Sequence, residues 1–172
     1  MPDARAFFDA LAANNSRDWF RENKPDYEAR LKRPAEALLD TLADRIAART
    51  GARPATKLFR PNRDLRFSAD KTPYHLHLHM LWDDAAGPGA WLFGLSRDYV
   101  RAGFGAMGFR PDTLARWRAV VAGSEGAALE DILAGLGTRG WFLDAPELKR
   151  APAPHGPDHP HAPLLRRKSL TA

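Results

Sequence analysis

The sequence predicts an α+β fold: an antiparallel sheet of about four to six strands with helices packed on it, led by an N-terminal helical block. Three observations carry this. Apolar residues recur at helical spacing through the first fifty positions. The period then drops to two, most strictly between Tyr74 and Trp82. Helical spacing returns after position 111. A regular strand–helix–strand alternation is missing, and no Gly-rich loop follows any strand, which argues against a doubly wound nucleotide-binding fold.

Each element has its own signal. Phe7, Phe8 and Leu11 fall at helical spacing behind Pro2 and Asp3, which suit a first turn, and Asn14-Asn15 ends that helix as a simple turn. Ser16 is an N-cap for the next helix, with Trp19, Phe20 and Asn23 on one side. Pro25 and Asp26 open another first turn. Tyr27, Leu31, Leu38, Leu42 and Ile46 then keep helical period as far as Gly51, a C-terminal cap. Pro34 interrupts that run and predicts a kink or a second start. Leu58 and Phe59 begin a short strand. The strand over 74–82 sets Leu76, Leu78, Met80 and Trp82 on one face and His75, His77 and His79 on the other. The DDAAGPG run at 83–89 is a turn, and 90–96 with 99–106 form a hairpin about Arg97-Asp98. Helices follow at about 112–122 and 126–135. Leu164 and Leu165 with Arg166, Arg167 and Lys168 read as a short helix whose last turn is cationic, as the helix dipole favours.

Composition bounds the class. The chain has 172 residues, 44 % hydrophobic and 27 % charged, which is the size and make-up of a single globular domain over 1–172. No apolar run approaches the length of a membrane span, and MPDARAFF lacks the pattern of a secretory signal. Cysteine is absent, which excludes disulfides, thiol chemistry and Cys-based zinc sites and makes a cytoplasmic location the expectation. The net charge is +5, with a pI of about 9.9. Residues 1–50 carry nine basic and nine acidic groups, and 111–172 carry eight and seven. Between 53 and 71, Arg53, Lys57, Arg60, Arg63, Arg66 and Lys71 face only Asp64 and Asp70. So local an excess favours an anionic ligand or acidic surface over a nucleic-acid-coating protein.

The dense stretch runs Arg60-Pro-Asn-Arg63-Asp64-Leu-Arg66-Phe67-Ser68-Ala-Asp70-Lys71-Thr72-Pro73-Tyr74, with His77 beyond it. Guanidinium forks grip carboxylate or phosphate at two points and stay charged when half buried. Arg60, Arg63, Arg66 and Lys71 would hold an anionic small molecule, a phosphorylated one above all, with Asp64 orienting the arginines and Tyr74 adding a polar contact. If the chain is an enzyme, Asp64 and His77 are the catalytic candidates, His77 because an unperturbed imidazole titrates near neutrality. Two other readings stand beside this one. The same residues serve a non-catalytic module that binds an acidic protein or a nucleic-acid backbone, or they form an internal ion-pair network in which Asp64 ties down arginines, Asp70 caps a turn and Tyr74 is core. Lys168 would add a charge if it folds back toward the cluster. Imidazoles at i and i+2 can chelate zinc, but those at i and i+4 lie too far apart along a strand, and no third ligand is evident, so neither metal nor other cofactor is assigned.

The run from Arg60 to Tyr74 resembles the signature of a mainly bacterial family, the domain of unknown function numbered 2461. NNSRDWFRENKPDYE at 14–28 and DHPHAPLLRRKS at 158–169 resemble it too. The resemblance spans nearly the whole chain. Arg60, Arg63, Asp64, Arg66, Phe67, Asp70, Lys71, Pro73, Tyr74 and His77 match its central motif, and Lys168 matches the lysine near its C-terminal end. It implies no activity, substrate or cofactor. His75 and His79 depart from the pattern, and family members usually run on beyond the Lys-Ser element, so a C-terminal extension is expected to be lacking here.

Overall fold

The computed structural model describes residues 2–85 and 87–172, with side chains from Ala4 onward. In chain order the elements are α1 (Pro2–Ala13), α2 (Arg17–Glu22), α3 (Lys24–Tyr27), a π turn (Glu28–Lys32), α4 (Arg33–Thr50), β1 (Thr56–Leu58), β2 (His77–Asp83), β3 (Ala90–Ser96), β4 (Val100–Ala106), α5 (Pro111–Ala122), α6 (Gly126–Gly137), α7 (Ala162–Leu165) and β5 (Leu170–Thr171). The five strands form one antiparallel sheet in the order β1-β2-β3-β4-β5. This is the α+β architecture that the change of period predicts. The expected turn at 83–89 includes residue 86, which lies outside the described residues.

The described chain divides into two compact units. The first comprises residues up to 86 with 91–102, and the second comprises 87–90 with 103–172. In the first unit, the Ser16 hydroxyl accepts the Trp19 N–H at 3.2 Å and starts α2, while Gly51 at φ 81° ends α4 in the left-handed conformation. Of the kink or second start expected at Pro34, the second start is what forms: α4 begins at Arg33, directly after the π turn. Arg33 N–H reaches back to the Glu28 carbonyl, and Pro34 falls in the first turn of α4, where its missing N–H is not needed. The buried residues Tyr27, Leu31, Ala35, Leu39 and Ala43 are spaced by four. An α-helix turns in about 3.6 residues, so a four-residue spacing drifts around the axis. The wider π turn takes up part of that drift and keeps Tyr27 and Leu31 on α4's buried face.

That face and α1 pack on the apolar side of β2, where Leu78, Met80 and Trp82 are each 5 % exposed or less. The Trp82 indole N–H is satisfied by the Leu39 carbonyl of α4 at 2.9 Å. Phe7 lies among Trp19, Phe20 and Tyr27, with ring centroids 5.6–6.4 Å away. Each buried aromatic of this kind contributes on the order of 3–5 kcal/mol against alanine.

The second unit has its own small core of Val121, Leu164 and Leu165, with Trp117 donating its indole N–H to the Leu164 carbonyl at 3.1 Å. Gly105, at φ 153°, lies so close to the Leu170 carbonyl of β5 that no Cβ would fit. The cationic helical turn expected at 166–168 does not form. Helix α7 stops at Leu165, and Arg167 is drawn into the unit, 7 % exposed, to donate to the Asp144 carbonyl at 2.7 Å. No described helix is long and apolar enough to cross a membrane.

Candidate functional site: a braced cationic loop and an imidazole ladder

The segment between β1 and β2 folds as a loop whose two arms are zipped at the base. Phe59 N–H donates to the His79 carbonyl at 3.0 Å, His75 N–H to Pro61 at 2.8 Å and Arg63 N–H to Pro73 at 2.9 Å. Asn62 and Tyr74 form an isolated antiparallel bridge. From Phe59 to Asn62 is three steps, whereas from His79 to Tyr74 is five. The returning arm therefore carries two extra residues. They bend the chain at Leu76, so the strand expected from Tyr74 becomes regular only at His77.

Asn15 locks the foot of the loop. Its side-chain amide donates to the Tyr74 carbonyl at 3.0 Å and its amide oxygen accepts the Tyr74 N–H at 3.1 Å, as a neighbouring strand would. The simple turn expected at Asn14-Asn15 is thus also a clamp, a role invisible in sequence because the partners are 59 residues apart. Tyr74 is 8 % exposed and stacks on Phe20 with centroids 4.0 Å apart and planes at 15°.

Above the foot, the cations separate instead of converging. Arg63, with a side chain 21 % exposed, donates to the Asp70 carboxylate, the Thr72 hydroxyl, the Thr72 carbonyl at 3.2 Å and the Ser68 hydroxyl at 3.3 Å. Asp70 also accepts the Thr72 N–H at 2.9 Å. That backbone bond first, then the Thr72 hydroxyl and Arg63, hold its carboxyl down at about 2. Arg66 grips Asp64 through Nε at 3.0 Å and Nη2 at 2.6 Å, and its own N–H returns to the same carboxylate at 3.2 Å. Asp64 and Arg66 meet through this tight turn. The Arg66 side chain, then its N–H, then the charge of Arg60 keep the Asp64 carboxyl below its usual range. Lys71 Nζ donates to the Leu65 carbonyl at 3.0 Å. Arg60 makes no hydrogen bond or ion pair among the described residues. At the tip, Phe67 is 96 % exposed, with the Arg66 guanidinium 5.9 Å from its ring centroid.

Beside the foot runs a ladder of rings. His75 and His77 lie 4.6 Å apart between centroids, and His77 and His79 are stacked at 3.9 Å and 16°. His79 Nε2 is 2.8 Å from the Tyr99 hydroxyl, and Phe59 meets its ring edge-on. Burial and then the neighbouring imidazoles push His77 down to about 4. Burial likewise lowers His79, and burial followed by the charge of Arg63 lowers His75. At neutral pH the ladder is therefore uncharged, and His77 is a far weaker base than its residue type alone suggests. Stacked rings do not converge their nitrogens, and no described group of three or more His, Asp or Glu is arranged to hold a metal ion. Lys168 lies in the second unit, its N–H on the Glu147 carboxylate at 2.8 Å.

Sequence reasoning missed Asn15, Ser68, Thr72 and Tyr99. Thr72 had a signal, since a threonine two residues after an aspartate suits an Asx turn. Tyr99 had none.

Residues 3–172 match the family described as conserved hypothetical protein (DUF2461). The chain belongs to that family. The 60–74 loop, with its foot and its Arg63 brace, lies within the residues that match DUF2461. No curated protein and no solved structure matches the chain.

Proposed function

We propose that the 60–73 loop is a protein-docking element, a rigid cationic arm that presents Phe67 to an acidic surface with an apolar notch. The observation that carries this reading is Phe67 itself. A lone exposed apolar residue needs no explanation. Here the ring stands 96 % exposed on a loop braced from beneath by Arg63 and Asn15, with Arg66 beside it. An exposed aromatic on a braced backbone within a cationic rim has the anatomy of an interface hot spot, because the loop backbone has little freedom left to lose on binding.

The rim is too small for a nucleic-acid backbone. Steeply salt-dependent binding to a duplex uses about 6–10 phosphate contacts, whereas the loop offers Arg60, Arg63, Arg66 and Lys71, two of them committed to Asp64 and Asp70. A small-anion site is the second reading, favoured by Arg60, which keeps its donors free among the described residues. Against it, Arg63 is engaged internally and Tyr74 is buried in the core.

The test is a titration by fluorescence anisotropy with three probes: a labelled peptide of alternating glutamate and leucine, inorganic phosphate as competitor, and a single-stranded oligonucleotide. The docking reading expects the peptide to bind best, Phe67→Ala to weaken it at least tenfold, and millimolar phosphate to leave it in place. Displacement by phosphate with no effect of Phe67→Ala would replace docking with the small-anion site.

A further inference from the structure

On the opposite face of β2 from the imidazoles, the first unit contains a cavity of about 310 Å³. Its wall from the sheet is Leu78, Met80, Phe93 and Leu95, and its wall from the helices is Leu31, Ala35 and Leu38. Two further residues shape the mouth. Pro34 and Arg30 both line the cavity, and both belong to the π turn and its junction with α4. Pro34 cannot give the Arg30 carbonyl the N–H that an α-helix would supply, so the helix widens there. The widening sets an arginine at the edge of an otherwise apolar site. The Arg30 side chain is 53 % exposed, and its one ion pair among the described residues, to Asp26, is long at 3.7 Å.

We propose that this cavity binds a monocarboxylate with an unbranched apolar tail, the tail against Leu31, Leu38, Leu78 and Phe93 and the carboxylate on the Arg30 guanidinium. Three features select that class. The volume falls at the lower end of small-molecule sites, about 300–1,000 Å³. The lining away from the mouth offers no polar side chain to satisfy a second polar group, and burying one unpaired is costly. The charge at the rim is a planar fork that matches a carboxylate at two points, and its existing partner at 3.7 Å is weak enough to be displaced. A dicarboxylate or a sugar would leave polar groups stranded inside. A fully apolar guest would leave the guanidinium unused.

Octanoate and 1-octanol are the probes, measured by isothermal titration and thermal shift on the full chain. The proposal expects octanoate to bind and raise the melting temperature, with affinity increasing about fourfold per methylene from butyrate upward until the cavity is full. Arg30→Glu, a surface change that leaves the core intact, should weaken octanoate at least tenfold and leave 1-octanol unchanged. Leu38→Trp, which fills the cavity from its rim, should remove both. The proposal is overturned if wild-type protein binds neither probe, or if affinity does not change with chain length. Equal octanoate binding by wild type and Arg30→Glu also overturns it, as does a dimer in equilibrium sedimentation that Leu38→Trp converts to monomer.

Discussion

Arg63 and Arg66 stand three residues apart in one loop, each paired with an aspartate, and they do different things. Arg63 points down and holds four oxygen atoms of its own loop, with only a fifth of its side chain in water. Arg66 lies flat on Asp64, 77 % exposed, beside a phenylalanine that touches little but solvent. Residue type does not separate these roles. What separates them is the fold beneath: the zipped arms and the Asn15 clamp turn one guanidinium inward and leave the other, three residues on, beside Phe67 at the tip. The foot of the loop acts through stability, the tip through what it presents.

Breaking the foot at its base should have the largest effect. Phe20→Ala removes the ring on which Tyr74 stacks and should cost about 3–5 kcal/mol in chemical denaturation. Arg63→Ala follows, at about 1–3 kcal/mol, because Ser68, Thr72 and Asp70 lose a charged donor that water only partly replaces. Asn15→Ala should cost about 1–2 kcal/mol for the two bonds to the Tyr74 backbone, and should speed amide exchange at Arg63 and His75. A cost near zero for Arg63→Ala would erase the distinction between foot and tip.

The foot also sets a pH dependence. His75, His77 and His79 have folded pKa values below the usual 6.5, His77 down to about 4. The unfolded chain therefore takes up more protons than the folded one across that window. Stability is fully present above about pH 6.5 and falls as pH drops toward 4. His77→Gln should flatten that slope. An unchanged slope would mean that the imidazoles titrate alike in both states. Smallest of all should be the tip: Arg66→Ala and Phe67→Ala should leave the melting temperature within error of wild type.

Much of the fold was legible in the sequence because its signals are local. Ser16 as a cap, Gly51 as a terminator, the alternation in β2 and the hairpin about Arg97-Asp98 each depend on neighbours within a few positions. What was not legible depends on distant partners. The π turn ahead of the second start at Pro34 follows from which face must stay buried. The two-residue bulge before His77 follows from how the arms are zipped. The inward turn of Arg167 depends on a carbonyl 23 residues away. In the candidate site, the motif showed which residues are gathered between 60 and 77, yet not that its arginines would separate into two pairs. Nor could it show that burial and stacking would leave His77 a weak base.

The most direct test of the division between foot and tip is to measure folding stability and glutamate–leucine peptide binding together in Phe67→Ala. The account predicts wild-type stability with peptide affinity reduced at least tenfold. Lost stability, or stability and binding both unchanged, would contradict it.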